Sequence, residues 1–537
     1  MRPPPAWDEG AAAGLEGPAL CAYASRLIGS DPELVLAGGG NSSIKTLERD
    51  GAGRPTRVLW IKASGYAMRA ISAEGFSPLR LDGLLALRSR AALSDEEMVA
   101  RQKACLLDPK AARPSIETLL HAWVPAPHVY HTHADAVAGF TCAPRSRERT
   151  RRAFGEGVLW IPYRRPGFEL SKRVAEAVER SPSAWALILD KHGALTWGGT
   201  AREACEAMLR LARACRRDVR LPGDRAELGR RPRAPAGLPA SERRRRAARL
   251  LPWLRGEAGR SRRAIVRWSD DPAVLRLLAR PQAPALVRRG TFTMEHALHV
   301  RARPLLWRAG SRASLRRAFD RYRRWHAAYF RAHAPPGTPA GDHDPRVVLV
   351  PGLGLFALGR DWRLAGVPAE IYRHTARVIL RVASFTRYAP LGPGPLGDVE
   401  FWPLETSKLA LLAPEKRLSR RVAWVEGAAG KAAARARALC EAGAHVVVSD
   451  VELARAQAAA RRLNARFGAA QALGLGLDPE DEASVRRAVE EAVLTYGGLD
   501  LLAPGAGSAS PLLASALLRL IEEQGLDGDI DKAWPAG

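Results

Sequence analysis

Paired cysteines are missing from this sequence. Its six cysteines, Cys21, Cys105, Cys142, Cys205, Cys215 and Cys440, lie far apart and none forms a Cys-x-x-Cys pair. Neither a disulfide framework nor a thiolate zinc site is indicated. Long apolar runs are missing too. No stretch of about 18 apolar residues occurs, so neither a transmembrane helix nor a membrane partner is expected. The opening stretch, Met1 to Asp8, is proline-rich and lacks the apolar core of a secretion signal, which leaves the cytoplasm as the expected location. Aromatics are scarce at 6%, and they are not interleaved with basic residues as a base-stacking platform requires.

What is present in excess is positive charge, a formal +27 over 537 residues. Arginine outnumbers lysine, and alanine, glycine and proline are abundant with it. A biased codon supply spreads such a pattern over a surface without building a binding patch, so a nucleic-acid partner is not expected. The one basic block, Arg243-Arg244-Arg245-Arg246, reads as a solvated helix face or a linker, with an anionic partner as the alternative. Hydrophobic residues at 47% and charged residues at 26% are ordinary globular composition, and the length calls for two or three domains.

Hydrophobic periodicity divides the chain into three blocks and gives an α/β fold class overall: an α/β block, a mixed helical middle region and a partial Rossmann-like block. Residues 19–220 alternate short strand-like runs (Val58–Ile61, Val129–His131, Val158–Ile161, Ala186–Leu189) with helical patterns such as Ala201–Leu211. Residues 221–415 are rich in arginine and proline, with helical patterns around Arg243–Leu254 and Ala313–His333. Residues 420–537 open with strand, glycine-rich turn, helix and strand, the order of a dinucleotide-binding unit.

Chemistry concentrates in the first block. His131-Thr132-His133 follows the strand-like run Pro127–Tyr130, and side chains two apart on a strand share a face, so both imidazoles can converge on one ion. His128 is out of phase and faces away. A catalytic zinc with an open position takes a third imidazole, for which His192 in the turn Asp190–Gly193 is the candidate. Taken alone, His-x-His is equally what two half-exposed strand histidines produce. Glu117 stands at the start of a helix, Thr118–Trp123, shortly before the histidine strand; Ser115 and Glu117 are also good capping residues for it. Gly38-Gly39-Gly40-Asn41-Ser42-Ser43 is a glycine-rich turn whose donors suit an anion such as phosphate, or a plain tight loop. Lys62-Ala63-Ser64-Gly65 offers a second donor turn.

Together, Gly38–Ser43, Ser64-Gly65, Arg113–Glu117, His131-Thr132-His133 and His192-Gly193 resemble the class II aldolase/adducin family in order and approximate spacing. The resemblance implies an αβα domain, usually a tetramer, with zinc held by His131, His133 and His192 and with Glu117 as acid/base. It implies substrate contacts from Gly39, Asn41, Ser42, Ser64, Gly65 and Ser115. Tyr163 falls where sugar-phosphate aldolases of the family place a proton-donating tyrosine that reaches a neighbouring subunit, or it is an ordinary core tyrosine. Ser115-Ile116 departs from the two serines that phosphate-using members carry before the glutamate.

Val425–Ala433 is similar to the glycine motif of short-chain dehydrogenases, with Gly427 and Gly430 in the turn. Glu426 stands where the family has threonine, and Lys431 and Ala433 where it has glycine. Asp450, ending the second strand, would bind the ribose of NAD or cap the next helix. Gly505 replaces the usual asparagine, and no tyrosine follows Tyr496 to complete a Tyr-x-x-x-Lys pair. This partial Rossmann-like block is therefore expected to bind NAD poorly and to lack hydride transfer of its own. With Val348–Gly354, Glu370–His374 and Asp398–Glu405 as the connecting region, the whole resembles the aldolase/short-chain dehydrogenase fusions of the rhamnulose-1-phosphate type.

The expected function is zinc-dependent cleavage of a ketose 1-phosphate, from a 6-deoxy sugar such as rhamnulose, to dihydroxyacetone phosphate and a hydroxyaldehyde. The expected partners are a sugar or sugar phosphate and further copies of the chain. The same scaffold also serves epimerases, dehydratases, decarboxylases and the non-catalytic adducins.

Overall fold

The computed structural model describes residues 6–36, 38–49, 51, 53–229, 237–410, 413–503 and 510–525. Two compact units divide them. One comprises Met1–Arg230, Arg289–Leu298 and His374–Leu412; the other comprises Arg231–Arg288, His299–Arg373 and Ala413–Gly537.

In the first unit, β-branched and aliphatic runs form β1 (Asn41–Arg49), β2 (Pro55–Lys62), β3 (Phe76–Arg80), β4 (His128–Thr132), β5 (Val158–Ile161), β6 (Ala186–Leu189) and β7 (Gly193–Gly198). They make one sheet in the order β3-β2-β1-β4-β7-β6-β5, antiparallel throughout except for the parallel β5–β6 pair. Alternation sorts the side chains onto two faces. Tyr130, Ala186, Ile188 and Ala194 pack with helices Gly17–Gly29, Asp135–Thr141 and Ala201–Cys215. Val129, Leu187, Leu189 and Leu195 pack with helices Thr118–Trp123 and Phe168–Arg180. The result is the αβα layering that the motifs imply, with β4 in the middle of the sheet.

The helices carry their own stop and start signals. Ala201–Cys215 opens with a capping box, in which Thr200 and Glu203 each accept from the other's backbone N–H. It buries Ala204, Cys205, Met208, Leu211, Ala212 and Cys215, the i, i+3, i+4 stripe of an amphipathic helix.

The second unit contains two sheets. One joins β8 (Ile265–Ser269), β9 (Leu305–Leu306), β10 (Val347–Val350) and β11 (Gly354–Gly359) in the order β8-β11-β10-β9. Periodicity predicts only helices for the arginine-rich stretch 221–415, yet it supplies all four strands of this sheet. The strand pattern of β8 is masked by Arg267, whose guanidinium lies 3.6 Å over the ring of Trp362 and so buries its aliphatic stem rather than marking a surface. The other sheet joins β12 (Val422–Glu426), β13 (His445–Asp450), β14 (Ala472–Gly476) and β15 (Leu501–Ala503), all parallel, in the order β14-β13-β12-β15. That order reverses at β12, the arrangement of one half of a doubly wound fold.

The basic block lies on helix Ala240–Ala258, and each of its arginines is paired: Arg243 with Asp270 at 2.8 Å, Arg244 with Glu491, and Arg245 and Arg246 with Glu242 at 2.6 Å. Among the described residues no helix is long and apolar enough to cross a membrane.

Candidate metal centre

His131 is carried by β4 and His133 lies just past its end, on the face that meets helix Thr118–Trp123. His192 ends the turn after β6, where Lys191 takes a left-handed conformation (φ 52°). Ligand nitrogens of the three rings all lie within 4.8 Å of one another, and Nε2 of His131 is 2.9 Å from Nε2 of His133. Bonds of about 2.0–2.1 Å to one tetrahedral ion separate nitrogens by roughly 3.3–3.5 Å, so the cluster needs only small ring movements to share one.

The protonation pattern suits ligation. Burial holds His192 well below the usual imidazole range, reinforced by the neighbouring His131 and His133, and burial lowers His131 against the opposing pull of Glu117. Neutral rings expose a lone pair. Nδ1 of His131 is 3.0 Å from the Ala194 carbonyl, which places its hydrogen there and leaves Nε2 free to bind. Both ring nitrogens of His192 are buried without a hydrogen-bond partner among the described residues. Orphaned buried nitrogens are costly, and a cation would satisfy one.

Packing explains the glycine after His192. A Cβ on Gly193 would lie 2.3 Å from the Thr132 carbonyl oxygen and 2.9 Å from Cδ2 of His133, so any side chain would push β7 off the histidine strand.

Glu117 occupies the N-cap position of helix Thr118–Trp123, but its carboxylate does not cap it. Ser115 Oγ accepts from the Glu117 N–H at 3.2 Å. The carboxylate is buried against the triad, with Oε2 3.6 Å from Nε2 of His131 and Oε1 3.4 Å from Nε2 of His192. Asn41 Nδ2 donates to Oε2, while Oε1 has no hydrogen-bond partner among the described residues. One oxygen is thus held and the other left with its lone pairs available, the arrangement of a general base.

A second carboxylate belongs to this site, and the motifs gave no hint of it. Glu295 Oε2 is 3.1 Å from Nδ1 of His133, 162 positions away in sequence, with its side chain only 12% exposed. It comes from Arg289–Leu298, within the same compact unit.

The remaining expected residues divide. Asn41 joins the centre. Gly39 lies against Glu295, where an added Cβ would meet the carboxylate. Ser115 lies beside Glu117. Ser42 turns to the opposite face, its Oγ 2.6 Å from Ser25 Oγ in the core. The glycine turn stops at Gly40, since Asn41 already pairs with His131 across β1 and β4, and strand alternation then sends Ser42 away from Asn41 and Ser43. Ser43 Oγ instead lies 2.8 Å from Nδ1 of His121, a buried histidine on the same face. Ser64 and Gly65 form a turn after β2, tied by Ser64 N–H to the Arg113 carbonyl at 2.8 Å. The Tyr163 hydroxyl is turned to the Pro395 carbonyl, to which it donates at 3.4 Å, and burial, followed by the nearby Asp398, pushes its pKa up, making it a weaker acid.

Sequence comparison matches residues 19–219 to "Class II Aldolase and Adducin N-terminal domain", residues 245–409 to "Aldolase class II, second domain", and residues 421–521 to "short chain dehydrogenase". "Uncharacterized oxidoreductase YuxG" of Bacillus subtilis is 34% identical over 516 residues, which are 94% of this chain and 74% of that protein. The chain belongs to the class II aldolase/short-chain dehydrogenase family. "Cis-4-hydroxycyclohexanecarboxylate dehydrogenase" of Sinomonas cyclohexanicum is 44% identical over 94 residues, 17% of this chain and 36% of that protein. A solved N-terminal class II aldolase domain from Thermoplasma acidophilum is 37% identical and covers 40% of this chain and 99% of its own, with a TM-score of 0.38.

The dehydrogenase part of this aldolase/dehydrogenase chain has the family's sheet but an altered nucleotide turn. Gly427 (φ 95°) and Gly430 (φ 53°) make the turn. The Asp450 carboxylate accepts from Ala428 N–H at 3.1 Å and from Glu452 N–H at 3.0 Å, so it pins the turn and starts the following segment. Glu426 ends β12 with Oε2 buried and without a hydrogen-bond partner among the described residues. A carboxylate there repels the pyrophosphate of a dinucleotide. Gly505 lies outside the described residues.

Proposed function

We propose that the first unit is a zinc-dependent aldolase that reversibly cleaves a ketose 1-phosphate to dihydroxyacetone phosphate and a hydroxyaldehyde, in the cytoplasm. The observation that carries this reading is three buried imidazoles whose ligand nitrogens lie within 4.8 Å of one another, one of them with neither nitrogen hydrogen-bonded among the described residues, beside a carboxylate whose Oε1 likewise has no hydrogen-bond partner among them.

His131, His133 and His192 would hold the ion. Zinc in that position supplies Lewis-acid polarisation of a substrate carbonyl and offsets the charge left when the carbon–carbon bond breaks. Glu117, through Oε1, moves the proton on the donor fragment, and Asn41 keeps the carboxylate aimed by holding Oε2. The Ser64-Gly65 turn and Ser115 are assigned to the anionic end of the substrate. Tyr163 serves as the acid for the aldehyde oxygen across the boundary between copies in a homo-oligomer.

A free ketose is a second reading, favoured by two observations. Ile116 removes a hydroxyl before Glu117, and the Glu295 carboxylate sits beside Gly39, where an anion would be repelled. An aldol-cleavage screen over ketose 1-phosphates and free ketoses, with and without chelator, separates the two. We expect turnover of a phosphorylated 6-deoxy ketose that chelator abolishes and added zinc restores. Turnover confined to free ketoses selects the second reading, and chelator-insensitive turnover removes the metal from the scheme.

We further propose that the 421–521 segment binds nucleotide weakly, because Glu426 immediately precedes the glycine turn with a buried carboxylate oxygen that has no hydrogen-bond partner among the described residues. Millimolar NAD is expected to shift the thermal midpoint by less than about 1 °C; a shift of several degrees would show binding well below that concentration and contradict this.

A further inference from the structure

Glu295 does not fit an ordinary role at a helix start. It stands in the first turn of helix Met294–Val300, where a carboxylate is favoured by the exposed N–H groups. That preference needs no burial and no partner. Here the side chain is nearly sequestered and aimed at a ring nitrogen of His133. The approach to it is shaped as well: Thr291, Phe292 and Thr293 are buried, and Thr293 Oγ1 lies 2.6 Å from Nδ1 of His296, which fixes the start of the helix.

Gly39 supplies an independent observation. A Cβ built there would fall within 2.5 Å of both carboxylate oxygens of Glu295 and of its Cδ. The residue is small because the carboxylate occupies the space of a side chain. Imidazole ligands bring no negative charge to a divalent ion in a buried site, and the two carboxyl groups beside the triad, Glu117 and Glu295, are the side chains placed to offset it.

We infer that Glu295 is a positioning residue for the metal centre: its carboxylate accepts from Nδ1 of His133 and so holds Nε2 of that ring toward the shared ion, with Gly39 as the cradle that admits it. This rests on the reading of His131, His133 and His192 as metal ligands. Such an outer carboxylate fixes tautomer and ring orientation and typically contributes about 10–100-fold to metal affinity.

The test is zinc titration of the full-length, chelator-stripped chain against a competing indicator, with the visible spectrum of the cobalt-loaded protein as a second readout. Glu295→Ala is expected to weaken zinc by about 10–100-fold and to alter the cobalt bands, and Glu295→Gln, which keeps an acceptor, to fall between it and the parent. Gly39→Ala is expected to act in the same direction by displacing the carboxylate. The Gly39→Ala/Glu295→Ala double variant should then be no weaker than the weaker single variant, because both remove one interaction. Coincident melting curves of the metal-free proteins set aside a folding defect. Should Glu295→Ala destabilise the fold, the Gln and Gly39 variants decide the matter. Parent-like affinity and spectra in all of them would overturn the inference. A parent protein that takes up no metal would instead overturn the ligand assignment on which it stands.

Discussion

The His131→Ala/His133→Ala double variant is expected to emerge from purification without metal, and the parent with about one zinc per chain. The two rings come from one strand, and Nε2 of each lies within 2.9 Å of the other, so removing both leaves His192 as a lone imidazole. One nitrogen ligand does not retain a transition metal against dilution. Metal analysis of both proteins after gel filtration checks this. Because His131 is fully buried in the central strand, the same samples need a thermal melt. A folded variant that kept stoichiometric zinc would remove these histidines from the site.

Replacing Glu117 with Gln is expected to abolish cleavage while leaving metal bound. The amide keeps the size of the carboxylate and an oxygen for the Asn41 contact, but it cannot accept a proton at the working pH. General acid–base catalysis contributes about 10²–10⁴-fold, equivalent to roughly 3–5 kcal/mol of barrier. The loss should therefore fall on kcat, with the zinc content of the variant close to that of the parent. Undiminished turnover would take Glu117 out of the proton path. Loss of zinc together with activity would make it a ligand in the first instance.

Sequence periodicity carries the inner ring of this site because that ring is local. Alternation on β4 was enough to join His131 to His133 and to separate His128, and the structure has both features. Helix Thr118–Trp123 has the bounds the sequence suggests, which places Glu117 at its start, and helices Ala240–Ala258 and Arg312–His333 enclose the periodic segments seen in the arginine-rich stretch. What was not legible is non-local. Glu295 lies in a stretch with no motif, and only the return of Arg289–Leu298 to the first unit brings it to His133. Gly39 reads as part of an anion-binding turn until the carboxylate lying against it is seen. Ser42 reads as a loop donor because the sequence does not say that β1 starts at Asn41; one residue of register decides which face its hydroxyl takes.

X-ray absorption at the zinc edge of the metal-loaded chain tests the central arrangement most directly. The expected spectrum fits three imidazole nitrogens at about 2.0–2.1 Å with the remaining position filled by oxygen, and it loses imidazole scattering in His192→Ala. A first shell of sulfur, or of oxygen with a single imidazole, would contradict a metal centre built from His131, His133 and His192.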